Sequence, residues 1–269
     1  MKEGISMREA YLTIDDSPSV HTVALTDFLV SRGVPAIYFC RGDMMEQNGL
    51  GALVDAVRKG IVLGNHAYHH YRASEHAFDV YVGEIRETEK LIDQVYTEAG
   101  VKRGRKYFRF PHIDRGAGGW IIDYNQLSEA DRADVIAVFS DGLNINLTPP
   151  TPEMLEKKAK LQAFLKAEGF SPLLSEGITF PWYQGELAHS IDMPYTYSIS
   201  DWMLLNRHKG KWPYKSLDDL KVKIDQDRWF NQTNSRHIIL AHDKDEIEIV
   251  IRDLVDHCLE QGVKFIPLP

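Results

Sequence analysis

Cysteine is nearly missing from this chain: two residues, Cys40 and Cys258, in 269. Two thiols so far apart make no disulfide framework, so a packed core has to hold the fold, and both read as buried thiols. Long hydrophobic runs are missing too. No segment approaches the roughly 20 apolar residues of a membrane-spanning helix. Positive charge is in deficit, with 31 Lys and Arg against 39 Asp and Glu and a formal net charge of −8. That balance gives no basic footprint for nucleic acid and little attraction to an anionic membrane. The small cluster Lys102, Arg103, Arg105 and Lys106 reads as a solvated loop. The first ten residues carry charges and lack the apolar stretch of a signal peptide, so the expectation is a cytoplasmic protein. No Gly-rich fingerprint follows any strand, which counts against dinucleotide binding.

What is present is an ordinary globular balance, 43% apolar and 26% charged, in a regular alternation of short apolar strands and amphipathic helices. Strands are expected at 10–14, 36–40, 61–63, 107–110, 135–139, 195–199, 237–241 and 263–266. Helices are expected at 20–31, 53–59, 78–99, 152–168, 217–229 and 247–259. Thr151 before Pro152, Ser216 before Leu217 and Gly100 after Ala99 are the start and stop signals. No internal repeat or low-complexity linker interrupts the series, and 143–150 is the best candidate for an irregular insertion. Repeated strand–helix units over this length favour one α/β domain, 1–269, built as a barrel of TIM type.

In such folds chemistry sits at the carboxyl ends of the strands. Asp15 and Asp16 end the first strand here. His66 and His70 follow the third. Arg109 lies in a later strand, with Pro111 just after, and His242 and Asp243 end the penultimate one. Each piece alone has a bland reading: a turn, a surface histidine, a structural ion pair. Their joint occurrence at successive strand ends is what carries weight. The His-x-x-x-His spacing would put two imidazoles on one face of a helical turn, within reach of one ion. In extended chain, neighbouring aspartates point to opposite sides, so one can bind metal while the other faces substrate. Two His and one Asp leave open positions on the ion, the mark of a catalytic site. Zinc is the default for that set; the same triad also suits iron(II) oxygenases. The rim of parallel strands with a second Asp favours hydrolysis.

Taken in order, Thr13-Ile14-Asp15-Asp16-Ser17-Pro18, His66-Ala67-Tyr68-His69-His70, Arg109-Phe110-Pro111 and Leu240-Ala241-His242 resemble the polysaccharide deacetylases with the NodB homology domain, carbohydrate esterase family 4. The resemblance implies a distorted (β/α) barrel, seven-stranded rather than eight. It implies Asp15 as general base, Arg109 as its orienting partner and His242 as general acid. Asp16, His66 and His70 would hold a divalent metal, zinc first. Leu240 would line the acyl pocket, and Pro111, His112, Asp201 and Trp202 would border substrate. Several positions depart from the family pattern: Ser17 stands for Gly, Ala67 for Ser or Thr, and His112-Ile113 for Tyr-Gly. Ser198 stands where the usual aspartate partner of the acid would be, so that partner is missing or supplied elsewhere. The stretch 112–150 reads as an insertion.

The implied activity is removal of an acetyl group from an N- or O-acetylated carbohydrate. A first rival is hydrolysis of a cyclic ureide, imide or small amide on the same fold. A second is a non-catalytic carbohydrate-binding barrel. The aromatics Trp182, Tyr183, Tyr195, Tyr197, Trp202, Trp212 and Tyr214 could stack on sugar, although core packing is the commoner use of any one of them. The altered residues after Arg109 and the insertion lead to the expectation of a short, partly closed pocket near His112 and Trp202.

Overall fold

Strand β1 (Arg8–Ser17) is the axis of the architecture and is buried over most of its length. It is buried because it pairs on both sides. The strands β2 (Ala36–Cys40), β3 (Val62–Asn65), β4 (Tyr197–Ser198), β5 (His237–His242) and β6 (Val263–Phe265) complete a parallel sheet ordered β3-β2-β1-β5-β4, with β6 alongside the start of β1. The computed structural model describes residues 8–140, 148–185 and 187–269. Part of the expected insertion, 141–147, lies outside the described residues.

The period-two alternation of the strands builds two cores. Leu12 and Ile14 of β1, with Tyr38 and Cys40 of β2, face outward. They are covered by α1 (Thr22–Ser31), α3 (Gly51–Arg58), α4 (Phe78–Ala99), α8 (Leu217–Gln226) and α9 (Glu248–Glu260). Tyr11, Ile37, Phe39, Ile238 and Leu240 face inward and meet Trp182, Tyr183, Met193 and Tyr195. Above these inner apolar residues, the same alternation places Thr13 and Asp15 on β1 and His242 on β5.

The rest of the ring is closed by irregular chain. Asn65 bridges Phe108 and Lys106 bridges Phe170, both in parallel sense. Met193 N–H donates to the Phe108 carbonyl at 2.8 Å, and Thr196 N–H to that of Ile238 at 2.9 Å. The result is a distorted α/β barrel with six regular strands among the described residues. The strand expected at 107–110 is reduced to single bridges, and that at 195–199 to β4. The stretch expected as a strand at 135–139 is helical instead, inside α5 (Glu129–Ser140). Ser128 starts it: its hydroxyl accepts from Asp131 N–H at 3.1 Å, a cap that outweighs the β-branched run Val135-Ile136. A short helix not anticipated, α2 (Gly42–Asn48), precedes α3. The caps expected at Thr151, for α6 (Pro152–Ala167), and at Ser216 are present, the latter as a capping box with Asp219. Gly100 is left-handed at the end of α4. Among the described residues no helix is long and apolar enough to cross a membrane.

Candidate active site

The first strand diverges its two aspartates by a bulge. Asp15 pairs with Phe39, Ser17 pairs with Cys40, and Asp16 between them is the extra residue, left-handed at φ 68°. Asp15 therefore stays on the inner face, while Asp16 is turned toward the loop after β3. His66 leaves that strand with its N–H on the Cys40 carbonyl at 2.9 Å. The loop it starts is pinned twice. Asn65 Oδ1 accepts from Ala67 N–H at 2.8 Å. The Ala67 and Tyr68 carbonyls accept from the N–H groups of Gly42 and Asp43, each at 3.1 Å, at the start of α2. The 66–70 segment is not the helical turn its spacing predicted. Left-handed Ala67 (φ 58°) and His70 (φ 62°) fold it back so that both imidazoles still converge.

Donor atoms of Asp16, His66 and His70 all lie within 4.8 Å of one another. His66 Nδ1 is 2.8 Å from the Arg109 carbonyl, which leaves Nε2 facing the site. His70 Nε2 is 3.4 Å from Asp16 Oδ1. That oxygen is buried and has no hydrogen-bond partner. Burial pushes His66 down to about 3 and His70 well below the imidazole range, so both are neutral. For Asp16, burial opposes ionisation, but its surroundings, with the Lys244 ammonium 2.9 Å away, hold its carboxyl well below the usual carboxylate range. Two neutral imidazoles and an ionised carboxylate with an orphan oxygen fit a divalent cation. His69 points away, bonded to Glu84 at 2.9 Å.

Arg109 spans the barrel interior. Its Nη1 donates to Thr13 Oγ1 at 2.7 Å and to Asp15 Oδ1 at 2.8 Å, and its Nε to the Met193 carbonyl at 2.7 Å. Its guanidinium lies over the Phe39 ring, 4.4 Å from the centroid. Phe39 in turn leaves no room beside Gly64, where a Cβ would stand 2.6 Å from the ring. Burial raises the Asp15 carboxyl above its ordinary range, with Arg109 opposing.

Asp201 corrects an expectation. Rather than bordering substrate, it is fully buried behind His242. Its carboxylate accepts from His242 N–H at 2.7 Å and meets Nδ1 at 2.8 Å. It supplies the partner that Ser198 does not. Burial alone would lower His242, but Asp201, with Asp16 and Asp15, raises it above the imidazole range. Asp243, noted only as a strand-end residue, ties Thr22 Oγ1 (2.6 Å) to the Asp15 backbone (2.8 Å). Two residues the motifs did not signal also face Asp16: Lys244 at 2.9 Å and Arg41 at 3.6 Å.

These groups open into one cavity of about 640 Å³, within the range of small-ligand clefts. Asp15, Asp16, His66, His70, Arg109, His242 and Leu240 form its base. Its walls include His112, Phe139, Tyr195, Trp202 and Trp212. Pro111 is buried and is absent from the lining; it precedes His112, which does line it. Of the suspected aromatics, Trp182 and Tyr183 are core. All six non-glycine residues with left-handed backbone among the described residues sit in this site or directly beside it: Asp16, Ala67, His70, His112, Ile113 and Ser200.

The model of the family described as polysaccharide deacetylase matches residues 3–117. Over that stretch, somewhat under half of the chain, the sequence is similar to the polysaccharide deacetylases. That family comprises hydrolases of C–N bonds other than peptide bonds. Solved structures of the same fold include the catalytic domain of a peptidoglycan N-acetylglucosamine deacetylase from Eubacterium rectale, at 15% identity and TM-score 0.57, over 98% of this chain and 89% of that one. A polysaccharide deacetylase from Bacillus cereus is similar at 18% identity and TM-score 0.54, over 98% and 92%. A carbohydrate esterase family 4 pseudoenzyme from Bacillus anthracis is similar at 13% and 0.53, over 97% of this chain and 64% of its own length. This chain thus spans under two thirds of that protein. No curated protein sequence matches. At such identities the likeness to solved structures speaks for the fold, and its range from deacetylase to pseudoenzyme leaves chemistry to the residues themselves.

Proposed function

We propose that the protein is a metal-dependent hydrolase that removes the acetyl group from an N-acetylated sugar. One observation carries the reading: around a single cavity stand a metal-type donor set, an ion-paired carboxylate and a carboxylate-backed imidazole. Asp16, His66 and His70 would hold the ion, zinc by donor type. Bound there, a divalent cation supplies Lewis acidity toward an acyl carbonyl and lowers the pKa of water.

The chain's own groups do the rest. Asp15 takes a proton from the attacking water. Arg109 fixes the carboxylate that does so, and its 2.7 Å bond to Thr13 fixes Arg109. The backbone N–H of His112 is the candidate oxyanion donor from the protein. His242 protonates the departing nitrogen, which would otherwise leave as a strongly basic amide anion. Asp201 holds that imidazole with Nε2 toward the cavity and favours its protonated form. Leu240 lines the base of the cavity, where a methyl group would rest. Retention of every one of these groups favours catalysis over a binding barrel.

The test is acetate release from N-acetylglucosamine oligomers by the zinc-loaded protein, with a cyclic ureide as control. Asp15→Asn should keep its zinc and lose about 10²–10⁴-fold in turnover, since an amide cannot accept the proton. Ureide cleavage without acetate would move the protein to the rival chemistry. Near wild-type turnover by Asp15→Asn would remove the proposed base.

A further inference from the structure

The charge of the cavity is opposite to that of the chain. Against a net −8 overall, the described residues of the cavity lining include four cations, Arg72, Arg109, Arg207 and Lys244, and two carboxylates, Asp15 and Asp16. Both carboxylates are committed. Asp15 is paired with Arg109 at 2.8 Å, and Asp16 belongs to the metal-type cluster. A divalent ion at that cluster would add further positive charge.

Among the described residues, Arg72 and Arg207 have no carboxylate partner in the cavity lining. Arg207 is exposed, and its Nε meets the His208 imidazole at 3.2 Å rather than an acid. Arg72 reaches only Glu75, at 4.0 Å, on a side chain that is 66% exposed and outside the lining. Lys244 is already paired with Asp16, at 2.9 Å. A neutral acetamido sugar offers these groups nothing. A carboxylate or phosphate would, because guanidinium groups match both in geometry.

We infer that the substrate is an N-acylated sugar carrying an anionic substituent, recognised by Arg72 and Arg207 at the mouth. The inference rests on the acyl-sugar reading of the site. It predicts attraction before docking, since a focused positive cleft on an acidic protein concentrates anions.

The experiment is calorimetric binding to the zinc-loaded protein, with acetate release measured in parallel. The probes are N-acetylglucosamine, N-acetylmuramic acid for the carboxylate and N-acetylglucosamine 6-phosphate for the phosphate. At least one anionic probe should bind about tenfold or more tighter than the neutral one, the size of one charge-assisted bond. The margin should shrink as ionic strength rises. An Arg72→Ala, Arg207→Ala double variant, changed only at exposed side chains, should bring the ratio close to unity. Equal binding of neutral and anionic probes overturns the inference. So does an anion preference that survives in the double variant, since the ion would then be the anchor. Equal acetate release from neutral and anionic probes removes the anion subsite and keeps the deacetylase. Anion-selective binding with no acetate from any probe keeps the subsite and removes the deacetylase.

Discussion

The two arcs of the barrel are held in different ways. In the arc β3-β2-β1-β5, backbone ladders run to the strand ends that carry Asp15, Asp16 and His242, interrupted between β1 and β2 by the bulge at Asp16, with His66 following β3. In the arc through 106–109, 170–196 and 201–212, short turns and single bridges replace ladders, and the side chains that emerge are Tyr195, Trp202, Arg207 and Trp212. The difference separates tasks. Groups that hold an ion or move a proton must be fixed to fractions of an ångström, and ladders fix them. Groups that choose a ligand gain from loops that vary without disturbing the frame. Arg109 is the tie between the arcs, bonded to β1 on one side and to Met193 on the other.

The strongest way to break this comparison is at the laddered arc. Asp16→Ala and His66→Ala should each abolish stoichiometric zinc and acetate release. Chelation of the wild type should do the same yet leave its far-ultraviolet spectrum intact, because Lys244 already partners Asp16 without metal. Collapse of the fold on chelation would show that the frame depends on the ion.

A smaller effect is expected at the junction. In the proposed mechanism His242 must carry its proton to donate it; burial lowers its pKa, but Asp201 more than offsets this and raises it above the ordinary imidazole value. Asp15 must be ionised, and burial raises it. Activity should therefore fall on the acid side as Asp15 takes up a proton, and on the alkaline side as His242 loses one. Asp201→Asn removes a raising charge. The alkaline limb should move down by about 1–2 pH units while the acid limb stays. An unmoved alkaline limb takes His242 out of the acid role.

In the irregular arc the effect should be on binding. Trp202 packs edge-on against Trp212, with centroids 5.5 Å apart. Trp202→Ala should raise KM about tenfold and change kcat less than about threefold, the pattern of uniform binding loss. A fall in kcat with KM unchanged would place Trp202 with the fixed groups instead.

The same division governs what could be read from sequence. Strands β1, β2 and β5 were legible because alternation and terminal polar residues are local signals. Asp15, Asp16, His66, His70, Arg109 and His242 followed from their order at strand ends. Asp201 was found but misassigned, since its bond to His242 spans 41 residues and depends on how the irregular arc folds. Ser198 marked a gap at the expected place, and nothing local says the gap is filled three residues on. Lys244 and Arg41 gave no signal, being ordinary surface types until the bulge at Asp16 turns its carboxylate to them. At 135–139 the β-branched run suggested a strand, and the cap at Ser128 that makes the stretch helical was not read.

The left-handed residues around the cavity also bear on how this chain can change over generations. Non-glycine backbone in that region costs about 1–2 kcal/mol per residue, and all six cases border the site. Stability has therefore been spent where the chemistry is. His112→Gly, at an exposed position with φ 55°, should raise the melting temperature by about 2–4 °C; a lower melting temperature would deny the strain. Loss of the site is then a downhill path, since random substitutions that relax these loops harden the barrel while they silence it. A lineage freed from the need to catalyse would shed its ligands first and keep its architecture longest.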